Sequence, residues 1–131
     1  MLKEPKFRTD QIECFKDQGF VIFPKAFNAV EAQTIHDWTV ELTEAPEEPD
    51  RHWVYHETSL INKDLSLINR IENMTPFHAG FRRLADSLLR SVGQLLGEEA
   101  VLFKDKINFK MPGGDGFKPH QDSQAGWEEY A

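Results

Sequence analysis

The chain has 131 residues, with 15 Lys+Arg against 22 Asp+Glu and a formal net charge of −7. An acidic balance argues against a protein that grips nucleic acid through phosphate contacts. No apolar run reaches the roughly 18–20 residues of a membrane span, and one cysteine, Cys14, cannot close an internal disulfide. The expectation is a single cytoplasmic domain over residues 1–131, within the usual domain size.

Asp10 and Glu13 form a capping-box-like start, Ile12 and Phe15 supply one apolar face, and Gly19 is a natural stop, so a helix is expected over 10–18. Phe20 to Phe23 is a β-branched and aromatic run ended by Pro24, which predicts a buried strand. Asn28 and Glu31 repeat the capping pattern, and Ile35, Trp38 and Leu42 recur at helical spacing, which predicts a helix over 29–43. The stretch 44–50 (EAPEEPD) reads as a solvated loop.

Residues 52–72 read as two short strands joined by a polar turn around Asn62-Lys63-Asp64. Thr75-Pro76 then opens a long helix, with proline at its first position. Phe77, Phe81, Leu84, Leu88 and Leu95 mark its buried stripe, and Gly97 ends it. From Ala100 the pattern turns to strands: 100–103, then 106–110 with Ile107 and Phe109 on one face and Asn108 and Lys110 on the other. A turn-rich loop, MPGGDG at 111–116, separates these from a further extended stretch over 117–122.

His120 and Asp122 are one residue apart, so on a strand both point to the same side. An imidazole and a carboxylate so placed are two-thirds of the 2-His-1-carboxylate triad that leaves adjacent positions open on non-haem Fe(II). By spacing alone, an exposed His–Asp pair is the commoner meaning of this pattern. His36, His52, His56 and His78 read as ordinary surface or hydrogen-bonding histidines.

The surrounding stretch, FKDKINFKMPGGDGFKPHQD at 103–122, resembles the phytanoyl-CoA dioxygenase family of Fe(II)/2-oxoglutarate oxygenases. The resemblance implies an α+β fold, with N-terminal helices packed on part of a double-stranded β-helix (jelly-roll or cupin-like) barrel. It implies His120 and Asp122 as iron ligands. It places Asn108, Phe117 and, more weakly, Lys104 at the 2-oxoglutarate pocket. Trp127 falls where relatives carry an aromatic beside the substrate, and equally where a lid or core tryptophan would sit. Asp122 favours hydroxylation or oxidative cleavage over halogenation, which in relatives goes with loss of that carboxylate.

The implied reaction consumes O₂ and 2-oxoglutarate, releases succinate and CO₂, and hydroxylates a C–H bond of a small polar or acyl substrate. Arg70 and Glu72 alternate onto one face, either at a pocket mouth or as a structural ion pair at the barrel rim. A similar stretch in relatives that act on small zwitterionic or phosphonate substrates points to a small polar substrate. The family's second histidine ligand and its 2-oxoglutarate-binding arginine are expected beyond residue 131. Residues 1–131 are therefore expected to be the N-terminal part of a longer oxygenase and inactive alone. The alternatives are a truncated, non-catalytic binding or dimerisation module, and a metal-binding barrel of the cupin kind.

Overall fold

A computed structural model of the chain describes residues 6–120. Its elements run α1 (Thr9–Gln18), α2 (Ala29–Glu44), β1 (Trp53–Thr58), β2 (Ser66–Glu72), α3 (Ala79–Leu96) and β3 (Lys106–Asn108). The three strands form one antiparallel sheet in the order β1-β2-β3. The architecture is α+β, and the sheet of the described residues is open rather than closed into a barrel.

Local signals account for most helix boundaries. Asn28 Oδ1 accepts from the N–H groups of Val30 and Glu31, while Glu31 Oε2 accepts from Asn28 N–H, a reciprocal cap that satisfies otherwise orphaned donors. At α1 the expected Asp10/Glu13 box is replaced by one residue pair upstream. Gln11 Oε1 accepts from Arg8 N–H, and Asp10 turns to pair with the Arg8 guanidinium at 2.8 Å. That charge pair, exposed though it is, holds the Asp10 carboxyl below its ordinary range.

α3 starts three residues later than Pro76 suggested. The chain makes a turn over Thr75–Phe77, closed by the Phe77 and His78 N–H groups on Met74 O. His78 then caps the helix, its Nδ1 accepting from Phe81 N–H at 3.2 Å and its Nε2 lying 3.1 Å from Glu41. A ring nitrogen can do a capping oxygen's work, which is why the proline lies outside the helix. Phe77 accordingly drops out of the buried stripe and is exposed, whereas Phe81 is buried and Leu84 packs beside it.

The expected strand over 20–23 is absent, and Phe20 and Ile22 are largely exposed. A strand needs a neighbour to complete its ladder, and among the described residues none lies alongside. Phe23 instead packs edge-on against Phe7 at 5.4 Å between ring centres. Residues 100–103 are likewise not a strand, β3 ends at Asn108 rather than 110, and 117–120 form no ladder.

The core lies between the sheet and the α2–α3 pair. Leu42, Ile71, Met74 and Phe81 are buried together, with Ile35, Trp38, Val54, Ile68, Leu84, Ile107 and Phe109 packed around them. Val54, Ile71 and Ile107 form one rung across all three strands. A bulge lets Ile68 join Ile71 on this side. Tyr55 pairs with Arg70 and His56 with Ile68, so Asn69 is the extra residue and resets the alternation. Its carbonyl accepts from Phe109 N–H at 2.8 Å, so the irregular residue still serves the ladder toward β3.

Candidate functional site

Since successive residues alternate, the rungs on either side of Val54–Ile71–Ile107 point away from the helices. One rung is Tyr55–Arg70–Asn108 and the other Trp53–Glu72–Lys106. The face of the sheet turned away from α2 and α3 therefore gathers three of the predicted site residues, Arg70, Glu72 and Asn108, from two strands separated in sequence by α3.

A fourth, Lys104, lies before β3 rather than on it, so the regular strand expected to orient it is not there. It nonetheless reaches the same place: Lys104 Nζ is 3.0 Å from Glu72 Oε1. Asp105 fixes the backbone in between. Its two carboxylate oxygens accept from Met74 and Thr75 N–H, both at 2.8 Å, tying the entry to β3 onto the β2–α3 turn. Carboxylate acceptance of two backbone donors is a strong, directional tether.

The Glu72 side chain is 3% exposed and also lies 3.0 Å from Arg70 Nε. The Arg70 contact is one of charge rather than an aligned hydrogen bond, since among the described residues neither Arg70 Nε nor Glu72 Oε1 has a hydrogen-bonding partner of good geometry. Two cations thus converge on one buried carboxylate. Arg70 in turn lies over the Tyr55 ring, 4.3 Å from its centre, an arrangement that holds the guanidinium flat and limits its rotamers. Tyr55 was not among the predicted site residues. Its position opposite Arg70 follows only from strand register, although its alternation with Trp53 was visible.

His120, the last described residue, sits with its Nδ1 2.7 Å from Lys118 O. A carbonyl can only accept, so Nδ1 is the donor in this contact, an arrangement that in metal-ligating histidines orients the ring through its second nitrogen. Phe117 packs beside it at 6.5 Å between ring centres, and Lys110 Nζ lies 4.3 Å over the Phe117 ring. Asp122 and Trp127 lie outside the described residues, so the juxtaposition of His120 with Asp122 is not described. Among the described residues no group of three or more His, Cys, Asp or Glu converges as a metal site, and no helix is long and apolar enough to cross a membrane.

Of the remaining histidines, His56 lies 2.7 Å from Glu47 and His78 caps α3, as hydrogen-bonding histidines do. His52 departs from the expectation. It is buried, and neither ring nitrogen has a hydrogen-bonding partner among the described residues. Burial, reinforced by the nearby Arg51 charge, pushes its pKa below the ordinary histidine value.

The family model for phytanoyl-CoA dioxygenase matches residues 15–128. The chain is 43% identical over 121 residues to the 2-aminoethylphosphonate dioxygenase of uncultured bacterium HF130_AEPn_1, covering 91% of this chain and 46% of that protein. It is 33% identical over 119 residues to the methylphosphonate hydroxylase of Gimesia maris, covering 88% of this chain and 44% of that one. It is 27% identical over 125 residues to dioxygenase lolE1 of Epichloe uncinata, covering 92% and 48%. The chain thus spans about half the length of the curated relatives it matches. No solved structure matches it. The chain belongs to the phytanoyl-CoA dioxygenase family.

Proposed function

We propose, from membership of the phytanoyl-CoA dioxygenase family, that the protein carrying this chain is an Fe(II)/2-oxoglutarate-dependent oxygenase. Its substrate on this reading is a small zwitterionic organophosphonate of the 2-aminoethylphosphonate kind, hydroxylated at a C–H bond. Two relatives whose names specify phosphonates, at 43% and 33% identity, support the substrate class. The observation that carries the reading is the sheet face turned away from α2 and α3, where Arg70, Glu72, Lys104 and Asn108 come together. On this reading the three strands are one part of a double-stranded β-helix whose interior is that face.

The donor set suits ferrous iron. His120 would supply an imidazole nitrogen, its Nδ1 lying against Lys118 O, and Asp122 the hard anionic oxygen that imidazole-carboxylate iron sites use. Iron bound there with 2-oxoglutarate supplies the oxidative chemistry, and succinate and CO₂ are the co-products. The chain's own residues bind and orient. Asn108 and Phe117 line the 2-oxoglutarate pocket, with Lys104 at its edge. Arg70 offers a planar double donor matched to phosphonate oxygens, held flat by Tyr55. Glu72 fixes both cations and leaves the pocket mouth net positive toward an anionic group. Trp127 is the candidate aromatic contact to the substrate.

The test takes the protein at its full natural length, with Fe(II) and 2-oxoglutarate. O₂ uptake and succinate release are measured with 2-aminoethylphosphonate, with methylphosphonate and without substrate. Succinate release stimulated by 2-aminoethylphosphonate is the expected result. Stimulation by neither phosphonate overturns the substrate class, and absence of any iron-dependent succinate release overturns the oxygenase.

A further inference from the structure

The glycine-rich stretch before His120 is fastened to the far end of β1, in part by one acidic side chain. Glu57 follows Tyr55 by two residues on the same face of β1. Its Oε2 accepts from Asp115 N–H at 3.1 Å. Its other oxygen, Oε1, is buried, without a hydrogen-bonding partner among the described residues, and lies against Gly114. A Cβ on Gly114 would fall 2.5 Å from that oxygen. Beside it, Gly113 has φ of +84°, and a Cβ there would fall 2.7 Å from Ser59 Oγ and 2.8 Å from Ile61 Cγ1. Gly113 O accepts from Leu60 N–H at 2.8 Å. The two glycines thus let the loop press directly onto the β1 end: a side chain at Gly113 would be strained by its positive φ and crowd Ser59 and Ile61, and one at Gly114 would have to displace the Glu57 carboxylate.

The same loop is closed at its base. Lys110, just before it, lies over the ring of Phe117, just after it, and His120 follows three residues on. A tether at the tip and a closure at the base leave little freedom in how the chain arrives at His120.

We propose that Glu57 is a positioning residue: its carboxylate latches the Gly113–Gly114 loop to β1 and so sets the approach of the His120 segment to its metal. This rests on the function proposed above. Groups that orient a ligand from one layer out commonly change metal affinity by about 10–100-fold when lost.

The experiment uses the protein at its full natural length, with Co(II) as the probe, titrated anaerobically by visible absorption. Amide hydrogen exchange over residues 111–118 is the second readout, independent of any metal. Glu57→Ala is expected to weaken Co(II) binding about tenfold and to speed exchange over 111–118, with exchange in α2 and α3 unchanged. Glu57→Gln keeps an acceptor for Asp115 N–H and restores most of both. Gly114→Ala reproduces the Glu57→Ala defect, yet adds little to it in the double variant, because the colliding oxygen has gone. Unchanged cobalt affinity and loop exchange in Glu57→Ala overturn the inference. So do exchange accelerated equally in the helices, no rescue by glutamine, or additive effects of the two substitutions. Wild-type protein that binds no Co(II) overturns the proposed function instead, and the exchange comparison then decides the latch by itself.

Discussion

The guanidinium of Arg70 lies 4.3 Å above the ring of Tyr55, its partner across the β1–β2 ladder. Direct cross-strand neighbours stand about 5 Å apart at Cβ, close enough for an arginine to lie along an aromatic face. The ring restricts the side chain and the Glu72 carboxylate draws its Nε. The outer guanidinium nitrogens are thereby aimed by two contacts and spent on neither.

Arg70→Ala in the full-length protein is expected to raise the substrate KM about 10–100-fold, the loss of a charge-assisted bidentate contact of roughly 1.5–3 kcal/mol. Arg70→Lys should recover little of it, since an ammonium neither stacks flat nor donates in parallel. Steady-state kinetics on the phosphonate substrate decide this, and an unchanged KM returns Arg70 to a purely structural ion pair.

Glu72→Gln removes the charge on which Arg70 and Lys104 converge. A fully buried pair broken in this way costs about 3–5 kcal/mol. Here the two cations keep 29% and 37% of their side-chain surface, so water offsets part of the loss and about 1–3 kcal/mol is expected. The urea midpoint measures it. In a double-mutant cycle with Lys104→Met, a coupling near zero would show that the 3.0 Å contact contributes nothing.

His52 gives the fold an acid-sensitive component. Its pKa is lowered in the folded protein, first by burial and then by Arg51 and His78, with Glu47 opposing. The unfolded chain therefore binds a proton more readily. Stability from this residue is complete above the unfolded value of about 6.5 and is lost as pH falls toward the lower folded value. Urea unfolding at pH 8 and at pH 5.5 should show a larger acid loss for wild type than for His52→Leu. Equal losses would mean that His52 is solvated in the native state.

Gly80→Ala tests the α2–α3 contact. The added Cβ would fall 2.4 Å from Trp38 Cδ2 and 2.5 Å from Trp38 Cε2. That ring also packs on Phe81 and lies under the Arg83 guanidinium, so it cannot swing aside freely. Overpacking of this kind costs about 1–3 kcal/mol, against at most about 1 kcal/mol gained from helix propensity. A net loss, read as a lowered denaturant midpoint, is expected, and a gain would show that the helices separate easily.

What was legible and what was not divides along the range of the interactions. The cap of α2 needed only Asn28 and Glu31, three residues apart, and the turn at Asn62 needed only its own side chain, whose Oδ1 accepts from Asp64 N–H at 3.1 Å. Both were visible in the sequence. The alternation of Ile107 and Phe109 against Asn108 was visible too, because strand parity is local. Phe20–Phe23 has the composition of a strand but lacks a ladder partner among the described residues, and composition cannot supply one. Pro76 pointed to a helix start, yet the helix begins after His78, whose ring nitrogen accepts from Phe81 N–H.

The candidate site divides the same way. By itself the sequence determined the helix and hairpin order and carried the family resemblance; the resemblance in turn nominated Lys104, Asn108, Phe117 and His120 as candidate site residues, while strand alternation put Arg70 and Glu72 on one face. Only the tertiary structure decided that Tyr55 lies under Arg70, that Lys104 and Arg70 share one carboxylate, that Glu57 meets Gly114, and that His52 is buried. Tyr55 and Arg70 are 15 positions apart, Glu72 and Lys104 32, and Glu57 and Gly114 57. These relations are set by strand register, by the bulge at Asn69 and by how closely two backbones can approach, and none of these is a property of any short stretch of chain.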